Sequence, residues 1–141
     1  MLGVRNYTRE YIDECRAKVD SDIAAFNNIS TGSFEPIYFN NMVIVLDHLF
    51  VHRLRTVEAK DGNPLNEVRM LSDSIVENGG RLRADTTIKY VPDRSVLKIQ
   101  LGGEIRLTQA DFTRLAGAFF AEIEAKFLEA PEAAVAGAKG K

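Results

Sequence analysis

Tryptophan is missing from this chain, cysteine occurs once, as Cys15, and histidine twice, as His48 and His52. A single cysteine excludes an intramolecular disulfide and any multi-thiol zinc site, and it suits a reducing compartment, so a cytoplasmic protein is expected. With no tryptophan, and with phenylalanine and tyrosine spread over several segments, there is no base-stacking platform for nucleic acid. Neither sign of charge is in excess. Lys and Arg number 18 against 20 Asp and Glu, a net charge of −2, which leaves no basic field for nucleic acid and no polybasic anchor for a membrane. Long apolar runs are also lacking: "PIYFNNMVIVL", Pro36 to Leu46, is too short to span a bilayer, and "MLGVRNYTREY" has no signal-peptide core. No Gly-x-Ser-x-Gly elbow, Walker loop or Rossmann glycine pattern occurs.

What is present suffices for one core. The chain has 141 residues and is 45% hydrophobic, which predicts a single globular domain over residues 1–128. Residues 129–141, "EAPEAAVAGAKGK", have almost nothing to pack and read as a disordered tail. From Tyr7 to Phe26 the large apolar residues return to one side of a helix, interrupted only by Asp22. A linker rich in turn formers, Asn27 to Pro36, leads to a second helix expected over Pro36 to Ala59, apolar around more than half of its circumference and hence central. Gly62, Asn63 and Pro64 spell a helix stop, a cap and a restart, and a third helix runs to "NGG" at Asn78.

Beyond that point apolar residues alternate. "TTIKYV" (Thr86 to Val91), "SVLKIQL" (Ser95 to Leu101) and "EIRL" (Glu104 to Leu107) are expected to form a three-stranded antiparallel meander, with Leu97, Ile99, Leu101, Ile105 and Leu107 facing the helices. Thr108 then caps a long last helix, with Asp111 at its third position and a clean stripe from Phe112 to Phe127. The expected fold class is α+β: three N-terminal helices, the meander and the C-terminal helix.

"LDHLFVHRLR", Leu46 to Arg55, holds both histidines four residues apart. On one continuous helix that spacing lets two imidazoles reach one divalent ion such as zinc. The acid of an H-E-x-x-H helix is absent, since Leu49 stands there, so a third ligand would come from Asp22, with Glu67 or Asp73 behind it. A metal-dependent hydrolase through His48, His52 and Asp22 is thus one reading. Its plainer rival places both imidazoles on a semi-polar stripe with ordinary hydrogen bonds. Arg53 points toward the apolar side and needs a buried acid, for which Asp22 again is the expected partner, so the ion pair competes with the metal for one carboxylate. Asn41, Ile44, Val51 and Arg55 share the histidine stripe. Apolar residues ringed by polar ones suit a subunit contact, which predicts a homodimer through this face. A pocket for a small anionic metabolite, lined by Arg53, Arg55 and the histidines, is the third reading. Cys15 lies on the apolar face of the first helix, where a thiol packs. "NGGRLR" at Asn78 is read as a helix stop and "DGNPLNE" at Asp61 as a cap.

The runs "YFNNMVIVLDHLFVHRLRTVEAKDGNPLNEVRML", Tyr38 to Leu71, and "IKYVPDRSVLKIQLGGEIRLT", Ile88 to Thr108, resemble a family of small bacterial proteins of unassigned function. The resemblance implies one free-standing domain and no activity, cofactor or catalytic residue. Without a convergent acid, base and nucleophile, the residues point to a protein that binds rather than catalyses.

Overall fold

The computed structural model describes residues 3–28 and 32–130. Five α-helices follow in order: α1 (Arg9–Phe26), α2 (Phe34–Leu49), α3 (Arg55–Glu58), α4 (Pro64–Glu77) and α5 (Gln109–Phe127), with a 3-10 turn at Pro92–Arg94. Local chemistry sets their starts. Thr8 Oγ1 accepts from Tyr11 N, Asn63 accepts from the N–H groups of Leu65 and Asn66 ahead of Pro64, and Thr108 and Asp111 form a reciprocal capping box. The central helix buries Phe39, Met42, Val43 and Leu46, and α4 and α5 both pack on it. α5 buries the whole stripe from Phe112 to Phe127, including four phenylalanines that each contribute roughly 2 kcal/mol by leaving water. No helix among the described residues is long and apolar enough to cross a membrane.

The expected meander does not form, and the fold is all-helical rather than α+β. Among the described residues there is no strand, only isolated bridges at Val4 with Arg53, Tyr7 with Leu128 and Arg81 with Glu104. Several local features break the extended run. Asp85 accepts from both N–H and hydroxyl of Thr87, Pro92 opens the 3-10 turn, and Lys98 (φ 56) and Gly102 (φ 85) are left-handed. Several amides that a ladder would use go to side chains, and others to the backbone of residues 80–82, with Ile105 N–H on Gly80 O and Gly102 N–H on Leu82 O, both at 2.7 Å. Val96 N and Leu97 N donate to the two oxygens of Glu67 at 2.8 and 3.0 Å, and Lys98 N donates to Ser95 Oγ at 2.9 Å. Asn40 accepts from Leu107 N at 3.1 Å and donates to Ile105 O at 2.7 Å. With α2, α4, Ser95 and the backbone of residues 80–82 supplying partners, these amides are satisfied without the expected strands. The alternation still serves burial for Ile88, Ile105 and Leu107, whereas Leu101 is exposed at the tip.

A second correction concerns the central helix, expected to reach Ala59 but ending at Leu49. An extended segment ahead of α1 explains the break. Val4 N–H donates to His52 O at 2.7 Å and Leu54 N–H to Val4 O at 2.9 Å, which holds residues 52–54 extended. The same segment reaches the other end of the fold, with Tyr7 N–H on Phe127 O at 2.6 Å and Glu129 N–H on Tyr7 O at 2.8 Å. Gly3 is required by this close approach, because a Cβ there would lie 2.6 Å from Leu54 Cα. Glu129 is therefore held by the domain, and the expected tail lies outside the described residues from position 131 onward, as do residues 29–31 of the expected linker.

Glu67 is the support on which the 95–98 loop rests. Burial pushes its carboxyl above the ordinary range, while the Leu97 and Val96 amides pull it back. Glu67→Ala should lower stability by about 1–3 kcal/mol in urea unfolding. Amide exchange of Val96 and Leu97 should accelerate well before that of α5; equal protection in the variant would show that other partners hold the loop.

Candidate functional site

Beyond Leu49 the chain turns through residues 50–54, and three consecutive side chains part company there. Val51 and His52 face solvent while Arg53 is buried, 2% exposed. Every N–H of the Arg53 guanidinium is used. Nε donates to Glu58 Oε1 at 2.9 Å, Nη1 to the carbonyls of Phe50 and Asp47 at 3.0 and 3.5 Å, and Nη2 to Asp47 Oδ1 and Leu65 O at 2.9 and 3.2 Å. Its Cζ lies over the Phe119 ring, 5.5 Å from the ring centre.

Glu58 is fully buried and equally committed. It accepts from Arg53, from Asn66 Nδ2 at 2.8 Å and from both Nε and Nη2 of Arg69, a two-pronged pairing that matches guanidinium to carboxylate. Burial alone would raise its pKa. The Arg69 hydrogen bonds and the charges of Arg53 and Arg69, with help from Asn66, outweigh burial and hold the carboxyl below its ordinary value. Two guanidiniums and the carboxylates of Asp47 and Glu58 thus cancel inside the fold.

The expected Asp22 and Arg53 pair is not what forms. Asp22 accepts from Lys18 Nζ at 2.9 Å, one turn earlier on α1. Arg53 reaches Glu58 and Asp47 because the chain breaks between them. On one continuous helix these acids would be turned roughly 140° and 120° from Arg53, out of reach; the turn at 50–54 removes that restriction. Glu58, Asn66 and Arg69 were absent from the expected site for the same reason. The one signal present was the demand of Arg53 for a buried acid.

Both histidines are exposed, His48 near the end of α2 and His52 in the turn, so the helical register that would align them on one ion stops at Leu49. Among the described residues no three of His, Cys, Asp and Glu gather as a metal-ligand set. His48, His52 and Asp22 are therefore not assembled, with Asp22 bound to Lys18, Glu67 holding the Val96 and Leu97 amides, and Asp73 exposed on α4. Instead the histidines flank a cleft of about 310 Å³, lined also by Tyr7, Tyr11, Leu49 and Val51. Tyr7 and Tyr11 stack at 5.5 Å, Phe50 meets Tyr7 edge-on at 4.8 Å, and the Tyr11 hydroxyl donates to Leu49 O. The Tyr7 hydroxyl is buried without a hydrogen-bond partner among the described residues, and burial, against the pull of Arg53, pushes its pKa up to about 12. Neither imidazole has a side-chain partner among the described residues that would orient it as a general base. Cys15 is buried, and burial raises its thiol away from the reactive form.

The break also divides the expected stripe. Asn41 (exposed), Ile44 (half-buried) and His48 remain together on the outward side of α2, with Ile37 one turn before them, and Val51 continues past the helix end. Arg55 opens α3 instead, exposed and without an ion pair among the described residues.

Glu58→Ala removes the hydrogen-bonded acid of Arg69 and leaves Arg53 with Asp47 alone, so unfolding free energy should fall by about 3–5 kcal/mol, whereas Asp22→Ala should leave the urea midpoint nearly unchanged. The pH dependence follows from the lowered pKa of Glu58. Its contribution is complete above the ordinary carboxylate range and is lost as pH falls through the depressed folded-state value, so Glu58→Gln should flatten the acid limb of a stability-pH curve. Glu67, raised on folding, has the opposite sign and loses its contribution as pH rises through its folded-state value. Tyr7→Phe removes only an unpartnered polar atom and should be neutral or stabilising by up to about 1 kcal/mol; a clear loss of stability would reveal a partner for that hydroxyl. Set against known proteins, no family model, no curated protein and no solved structure matches this chain.

Proposed function

We propose that this chain is a small cytoplasmic bacterial protein that acts by binding, as a homodimer joined through the outward face of α2. One observation carries the reading. Ile37, Asn41, Ile44 and His48 follow at helical spacing on that face, continued by exposed Val51, and none is Asp, Glu, Lys or Arg. The exposed positions of α1, by contrast, include Glu10, Asp13, Glu14, Lys18 and Asp20. In a two-fold contact each surface meets its own copy, so a charged face repels itself and a neutral one with apolar centres does not. Ile37 is 58% exposed and Val51 40%, the kind of apolar surface that a contact removes from water.

Antiparallel pairing of two α2 helices about an axis between residues 41 and 44 sets Ile37 against the partner's His48 and Asn41 against the partner's Ile44. The cytoplasmic placement is supported by the single unpaired cysteine, and the bacterial origin by the resemblance of Tyr38 to Leu71 and Ile88 to Thr108.

Light scattering coupled to gel filtration at micromolar concentration should give twice the chain mass. Asn41→Asp adds an acid on each side of the axis at an exposed position and should weaken association at least about tenfold with an unchanged circular dichroism spectrum. A strict monomer for the unaltered chain would remove this reading.

A further inference from the structure

Across the turn from the tyrosine-lined cleft lies a second one, about 370 Å³, with His52, Arg53, Leu54, Arg55, Thr56 and Arg69 in its wall and no Asp or Glu there among the described residues. Arg53 is spent, since all of its N–H groups serve Asp47, Glu58 and backbone carbonyls. Arg69 is half spent: Nε and Nη2 hold Glu58, and Nη1 has no partner among the described residues. Arg55, Thr56 and His52 are exposed, and their side chains make no hydrogen bond to any described residue. Arg55 acts electrostatically on the carboxyl of Asp85, which is engaged by the N–H and hydroxyl of Thr87 at 2.8 and 2.7 Å.

Asp47 and Glu58 pair with Arg53 and Arg69 behind this wall, Asp73 and Asp85 act on Arg69 and Arg55 from outside it, and Arg55 stands at the mouth beside a guanidinium edge, a hydroxyl and an imidazole. The described wall offers guanidinium, hydroxyl and imidazole groups and no carboxylate, and Leu54 and Val51 supply an apolar margin. Because Arg69 is already fixed by Glu58, its free nitrogen is positioned in advance and costs little ordering on binding.

We propose that this cleft binds the oxyanion group of a small molecule, a phosphate or carboxylate, gripped between Arg55 and Nη1 of Arg69 with Thr56 and His52 at its rim. The site borders the proposed dimer face at Val51, while its cationic and hydroxyl groups lie outside that face. It needs only one copy, and the strand-like pairing of Val4 with residues 52–54 holds its wall in place.

The full chain titrated with inorganic phosphate or acetate at constant ionic strength should show a saturable rise in thermal midpoint. Amide resonance shifts should centre on residues 52–56 and on Arg69. Arg55→Glu, at an exposed position that supports no other element, should weaken both probes at least about tenfold, the loss expected when a charge-assisted hydrogen bond is replaced by repulsion. Thr56→Val should weaken phosphate to a smaller extent. Chloride at equal ionic strength reproducing the shift, resonance changes centred elsewhere, or undiminished binding by Arg55→Glu would each overturn the assignment.

Discussion

A guanidinium shut away from water must be neutralised and have its N–H groups satisfied, and in this protein that requirement falls on Arg53. Its answer draws Asp47 from the end of α2, Glu58 from α3 and the Leu65 carbonyl from α4 into one knot, with Arg69 and Asn66 completing the coordination of Glu58. The knot caps the end of α2, since Nη1 donates to the carbonyls of Asp47 and Phe50 there. It also fixes how α3 and α4 follow. An apolar set of the same volume could stabilise as well, but it would not specify one geometry for three helix ends.

Much of the helical framework was legible beforehand. α1, α4 and α5 show stripes at the helical period, and Asn63 and Thr108 read as caps for the latter two; the structure buries most of those stripes and uses both caps. Two features were not legible, and for one reason. The end of α2 and the shape of residues 86–107 are both decided by partners distant in sequence, Val4 in the first case and Asn40 and Glu67 in the second. Period-two alternation reports that alternate side chains are buried; it does not report whether the amides between them bond to a neighbouring strand or to a carboxylate on a helix. Asn40 and Glu67 read as polar residues on helix surfaces, and nothing local marks them as backbone partners.

The candidate site illustrates the same division. His48 and His52 drew notice by spacing, and the spacing lost its meaning once the helix ended between them. Arg53 drew notice by sitting on the wrong face, and that clue held, although its acid came from the far side of a break no pattern announces. The histidines end up at the rims of two clefts that share Val51 and His52, one walled by tyrosines and one by arginines. A single exposed turn therefore meets an apolar surface on one side and a cationic one on the other.

The segment from Gly3 to Tyr7 also sets an order of events during synthesis. Tyr7 leaves the ribosome long before Phe127 and Glu129, yet its N–H and carbonyl are satisfied only by those two residues. The segment can settle against residues 52–54 early, but it cannot close until α5 is complete. Until then the Tyr7 ring lacks Phe127, and Phe50 lacks Phe119 and Phe120. α5 is thus the helix that locks residues 3–7 in place, and a nascent chain arrested before Phe127 leaves aromatic surface exposed.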